Sequence, residues 1–122
     1  MNKHAIIAAI SFLASMASGS ESVSIINIIA DPERYNGKEV NFGGYMSLEF
    51  EGSAIYLSKD DWHNLVTKNG LWCAIDLTAY KEFDNKYVFI EGKFDMTNHG
   101  HLGLWSGSIK EIKRVWLPPP RK

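Results

Sequence analysis

Val40-Asn41-Phe42-Gly43-Gly44-Tyr45-Met46-Ser47-Leu48-Glu49-Phe50 alternates along its whole length. Val40, Phe42, Gly44, Met46, Leu48 and Phe50 fall on one face of an extended chain, and Asn41, Gly43, Tyr45, Ser47 and Glu49 on the other. That period belongs to a strand with one apolar face. The paired glycines in its middle add a second requirement. With no side chains to resist it, Gly43-Gly44 lets the strand coil sharply, so that a single strand can take part in both halves of a closed sheet.

Downstream, Glu51-Gly52-Ser53 reads as a hairpin turn into a second strand from Ala54 to Leu57. Ser58-Lys59-Asp60-Asp61 has the spacing of a capping box with Asp in place of Glu, and predicts a short helix through about Val66 that Lys68-Asn69-Gly70 ends. A third strand is expected from Leu71 to Leu77, then a connection over Thr78 to Asn85 with one helical turn. The fourth strand, Lys86 to Asp95, carries Val88, Ile90, Gly92 and Phe94 in one phase and Tyr87, Phe89, Glu91 and Lys93 in the other. Asn98-His99-Gly100-His101 is a loop. The last strand, Leu104 to Val115, slips phase between Ile109 and Ile112 as a bulge would cause, and Pro118-Pro119-Pro120 ends regular structure.

Upstream, Ile25, Ile26, Ile28 and Ile29 are spaced for one face of a short helix, interrupted by Asp31-Pro32 and a turn at Tyr35-Asn36-Gly37. These elements predict a mainly β domain over residues 20–117, a small five-stranded barrel with a short N-terminal helix and one short internal helix. A Pro-rich basic tail follows at 118–122. The competing architecture is a small open sheet with helices packed on one face.

Met1-Asn2-Lys3-His4 precedes a small and apolar run from Ala5 to Ala17. These are the proportions of a secretory signal peptide over residues 1–19, with cleavage expected after Ala17 or Gly19. A membrane span needs about 20 apolar residues, more than the run contains; an uncleaved anchor is the rival reading. The expected destination is the periplasm or the medium. Losing Lys3, the one formal charge in that leader, moves the net charge from −1 to −2. Such a chain lacks the basic excess that drives non-specific binding to nucleic acid, so nucleic acid is not the expected partner. Cys73 is the only cysteine, so the fold must stand without an internal disulfide; its phase with Leu71, Ile75 and Leu77 marks it as a buried thiol.

Two segments carry a resemblance. Ile28 to Tyr45, with Pro32, Tyr35, Gly37, Lys38 and Val40 at the spacing P-x-x-Y-x-G-K-x-V, looks like the helix-to-strand opening of many bacterial OB-like domains. Lys86-Tyr87-Val88-Phe89-Ile90-Glu91-Gly92-Lys93-Phe94 resembles their later Y-V-x-I-E-G strand. The chain is therefore similar to small exported bacterial proteins with an OB-fold-like domain, a five-stranded Greek-key barrel. The matching motifs describe how a barrel strand begins and bends. The resemblance thus implies a fold and no activity. It departs in one place: the helix-like segment precedes the third strand rather than following it.

With the Cys73 and Ile90 phase facing the core, Tyr45, Trp72, Tyr87 and Phe89 are expected on the outer face. Such rings stack on sugars, bases or a protein surface. The other reading has the isoleucine helix covering them as a second small core. Tyr45, Trp72 and Phe89, with His99 and His101 on the adjoining loop, are the expected ligand surface of a non-enzymatic module. Its partner would be a glycan, a cell-wall fragment, a small molecule or a protein. A metal-assisted hydrolase using His63, His99 and His101 is the alternative from another class; a structural or inhibitory interaction domain is a third. Asp60 and Asp61 read as helix-capping carboxylates, and Lys110, Lys113 and Arg114 as a basic stretch on a strand face. Gly103-Leu104-Trp105-Ser106-Gly107 has the wrong spacing for a nucleophile elbow. With no phosphate loop or dinucleotide fingerprint in the chain, no cofactor is expected.

Overall fold

The glycine-centred strand is the piece on which the barrel closes. In the computed structural model, which describes residues 19–121, it runs from Glu39 to Ser47 as β2. Before it come β1 (Glu21–Ser22), α1 (Ile25–Ala30) and α2 (Pro32–Tyr35); after it come β3 (Ala54–Tyr56), α3 (Lys59–His63), β4 (Gly70–Cys73), β5 (Lys86–Asp95) and β6 (Ser108–Trp116). The leader read in Met1 to Gly19 lies almost wholly outside the described residues. No helix among them is long and apolar enough to cross a membrane.

β2 pairs antiparallel with β5 from Glu39↔Lys93 to Met46↔Lys86, and its last residues also pair with β3, Tyr45↔Tyr56 to Ser47↔Ala54. The sheet runs β2-β3-β4-β6-β5 and returns to β2, with β4 and β6 parallel. The molecule is thus mainly β, a closed five-stranded OB-like barrel with one outside strand, β1, and three short helices. Gly44 makes the closure possible: a Cβ there would lie 2.6 Å from Ile55 Cγ1 and 2.7 Å from the Tyr56 carbonyl oxygen.

The inward phase is the one the alternation predicts. Val40, Phe42 and Met46 meet Ile55, Leu71, Cys73, Val88, Ile90, Phe94 and Ile109 in one core. Burial of each large side chain there stabilises the fold by about 1.5–3 kcal/mol. Ile25 and Ile28 of α1 and Tyr35 of α2 join the same core. The isoleucine helix therefore packs on the barrel interior and does not form a separate lid over the outward rings. Ser24 caps it, its Oγ accepting from the Asn27 amide at 3.2 Å, while Asn27 Oδ1 accepts from the Ser24 amide.

Four boundaries differ from the sequence expectation. β2 stops at Ser47, because the Ser53 hydroxyl binds both the amide and the carbonyl of Glu49 and ties off a wider hairpin. α3 ends at His63 rather than Val66: Leu65 turns left-handed (φ 57°) and the Val66 amide closes back on the Asp61 carbonyl. β4 ends at Cys73, and Asp76 then accepts from the Thr78 and Ala79 amides to start a turn. β6 begins only at Ser108, the preceding residues forming a loop. The expected bulge is present at Glu111 (φ 48°): Lys93 pairs with Lys110 while Glu91 pairs with Arg114, so β6 carries two extra residues.

The basic stretch on β6 is neutralised across strands. Lys110 meets Asp95 at 3.2 Å, Lys113 meets Glu39 at 3.0 Å and Arg114 meets Glu91 at 2.7 Å. It is a paired strand face and offers no bare anion site.

Candidate functional site

The outward face of β2, β5 and β6 is ordered in rows set by register. One row is polar: Asn41 of β2, Glu91 of β5 and Arg114 of β6. The next is Gly43, Phe89 and Trp116. Phe89 and Trp116 stack with centroids 5.7 Å apart and planes 24° from parallel, and Tyr87 meets Phe89 edge-on at 6.2 Å. The Arg114 guanidinium lies 4.1 Å from the centre of the Trp116 ring while its Nε donates to Glu91 Oε1 at 2.7 Å. Gly43 is the floor of this surface. A Cβ there would come within 2.6 Å of the Tyr87 hydroxyl and 3.0 Å of the Phe89 ring.

Tyr87 is 50 % exposed, and Phe89 and Trp116 are half-buried. Between the rings and the Val23–Ile26 segment runs a groove of about 250 Å³ that Gly43, Leu57, Tyr87 and Phe89 help to line. The polar row continues onto the N-terminal segment. Asn41 Nδ2 donates to Ser20 Oγ at 2.7 Å, and the Ser22 hydroxyl donates to Asn41 Oδ1 at 2.9 Å. Hydrogen bonds from Ser20 and Arg114 hold the Glu91 carboxyl below the usual range, so it stays an acceptor.

The aromatic residues around β3 and β4 are enclosed instead. Tyr56 and Trp105 are buried with Ala54, and Trp62 and Trp72 pack at the edge of this second small core. Trp105 Nε1 donates to the Tyr56 hydroxyl at 3.2 Å. The cover is the β5–β6 loop. His99 Nδ1 lies 2.7 Å from the Trp105 carbonyl, Ser106 donates to the Lys68 carbonyl, and Gly100 (φ 74°) lies flat on the Trp72 ring, where a Cβ would come within 2.4 Å.

The five expected ligand residues therefore divide. Tyr45 is not on the surface: it is 7 % exposed and lies under Trp62 of α3 at 5.5 Å. Trp72 is half-buried beside the His99 and His101 loop, opposite Ser108 at the start of β6, whereas Phe89 is opposite Trp116 at its end. Tyr45, Trp72 and Phe89 thus do not form one continuous platform. Trp116, which completes this face, lies one residue past the strand end expected at Val115 and was missed; the Arg114, Trp116 alternation about Val115 is the signal that would have placed it outward. Trp105 and Tyr56 carried no comparable signal beyond a tryptophan in a glycine-rich loop.

His63, His99 and His101 do not converge as a metal-assisted hydrolase would need. His63 ends α3, His99 is held to Trp105, and His101 Nε2 faces Glu51 Oε2 at 3.5 Å. Among the described residues no three His, Cys, Asp or Glu side chains gather as metal ligands. Ser58 caps α3 through the Asp61 amide at 3.1 Å, and Asp60 and Asp61 occupy its first turn. Burial pushes the Cys73 thiol up to about 12, which removes it as a nucleophile. The chain matches no protein-family model and no curated protein sequence.

Proposed function

We propose that this chain is an exported, non-enzymatic binding module that takes a glycan or cell-wall fragment on the Tyr87, Phe89 and Trp116 face. One observation carries the reading: the half-exposed Phe89 and Trp116 row, flanked by the exposed Tyr87 ring, lies directly beside a polar row of Asn41, Glu91 and Arg114. A sugar ring has an apolar face that stacks on aromatic side chains and an edge of hydroxyls that pair with amide, carboxylate and guanidinium groups. The two rows offer both within one sheet. The export half of the reading is supported by Lys3 and the apolar run Ala5 to Ala17.

The test is a thermal-shift titration of the mature domain with soluble peptidoglycan fragments and chitotetraose. A ligand at about 100 times its Kd adds about 2.7 kcal/mol to stability, a clear rise in Tm for a domain of this size. Phe89→Ala and Trp116→Ala should remove the rise while keeping the native circular dichroism. A rise that survives both substitutions contradicts the assignment.

A further inference from the structure

The end of the barrel away from Trp116 carries apolar side chains that the fold does not use. At the β2–β3 hairpin tip Phe50 is 83 % exposed, and on the β5–β6 loop Leu102 is 78 % exposed. The two tips meet, since His101 faces Glu51. Leu77, also exposed, lies on the same end. Between the hairpin and the chain leaving β4 is a cleft of about 300 Å³, walled by Trp72, Ile75 and Ser53 and edged by Phe50 and Leu77.

The backbone at both tips is held in a conformation that ordinary residues avoid. Glu51 has φ 58° and Leu102 has φ 60°. Neither is a glycine, and both turns present a large apolar side chain to solvent where a polar one would fit. The charge is one-sided. Glu49 and Glu51 line the cleft, and no lysine or arginine is among the described residues lining it. Of the two, Glu51 meets only the His101 ring, at the edge of ion-pair distance.

We infer that this end of the barrel docks a basic peptide segment of a partner protein, with an apolar side chain seated in the cleft between Phe50 and Leu77 and a neighbouring lysine or arginine facing Glu49 and Glu51. The cleft volume suits one large side chain and its flanking backbone. The carboxylate rim selects against acidic segments and against anionic lipid. This surface is separate from the Tyr87 and Trp116 face, so each stands or falls on its own test.

Fluorescein-labelled Lys-Phe-Lys-Leu-Lys, titrated with the mature domain and read by anisotropy, tests it. The Lys peptide should bind, and Glu-Phe-Glu-Leu-Glu should not. Phe50→Ser, at a position too exposed to affect folding, should weaken binding about tenfold or more. The Glu49→Gln, Glu51→Gln pair should weaken it about threefold to fivefold and flatten its salt dependence. Phe89→Ala should leave it unchanged. Equal binding of both peptides, or binding indifferent to Phe50→Ser, overturns the proposal. So does a protein that fails to bind the Lys peptide, and its sedimentation with phosphatidylcholine vesicles would then assign the apolar tips to a membrane.

Discussion

Two regions of this barrel are rich in aromatic side chains and have different fates. Over β3 and β4, Tyr56, Trp62, Trp72 and Trp105 close under the β5–β6 loop and α3 as a second small core. Over β5 and β6, Tyr87 meets Phe89 edge-on, Phe89 stacks on Trp116, and all three keep part of their surface exposed. The open rings all come from strands, whereas the enclosed group joins Tyr56 and Trp72 of β3 and β4 to Trp62 of α3 and Trp105 of the β5–β6 loop. What separates them is a cover: a glycine loop that can lie flat on Trp72 in one case, and only the short Val23–Ile26 segment beside a groove in the other. An outward aromatic strand is therefore a surface or a core according to a contact made far away in the chain.

The sharpest way to break this contrast is to remove a ring from each side. Trp105→Ala should destabilise the domain by about 3–5 kcal/mol, since removing a buried indole leaves a cavity and takes the N–H donor away from the Tyr56 hydroxyl; urea unfolding measures it. Gly100→Ala should cost less, about 1–3 kcal/mol, through a left-handed backbone and the collision with Trp72. On the open side, Tyr87→Ala should shift the same urea midpoint by an equivalent of under about 1 kcal/mol. An equal loss on both sides would erase the distinction.

Asp95 sharpens the comparison through pH. It sits where the covering loop leaves β5, and bonds from the Thr97 hydroxyl and amide, with Lys110, hold it at about 2 against an ordinary 3.8. A depressed carboxyl contributes stability that is present above the unfolded value and lost as pH falls through the folded one. The domain should therefore lose stability between about pH 4 and pH 2, and Asp95→Asn should flatten that part of the curve. An unchanged acid limb would place the acid sensitivity elsewhere, with the partly exposed Glu91 the next residue to test.

Much of the barrel was legible because β2 and β5 alternate cleanly and Gly43-Gly44 marks the point of coiling. The β6 bulge was legible too, as a slip of the apolar phase between Ile109 and Ile112. The fate of Tyr45 was not. Alternation says that it points outward but cannot say that Trp62 of α3 comes back to cover it. The same limit applies to Trp105, whose destination on Tyr56 lies 49 residues away. Helix α3 ended early for a local reason, the left-handed Leu65, which leucine's ordinary preferences give no warning of. The isoleucine stripe was read correctly as a helix face, but its partner is the barrel core rather than the aromatic face.

The central claim is that the open rings, and not the enclosed ones, receive the ligand. The most direct measurement follows the indole N–H signals of the four tryptophans in the mature domain during titration with soluble peptidoglycan fragments. The account predicts that Trp116 moves with fragment concentration while Trp105 and Trp72 stay in place. Movement of Trp105 or Trp72 with Trp116 unmoved would contradict it, and would mean that the covering loop opens onto the binding face.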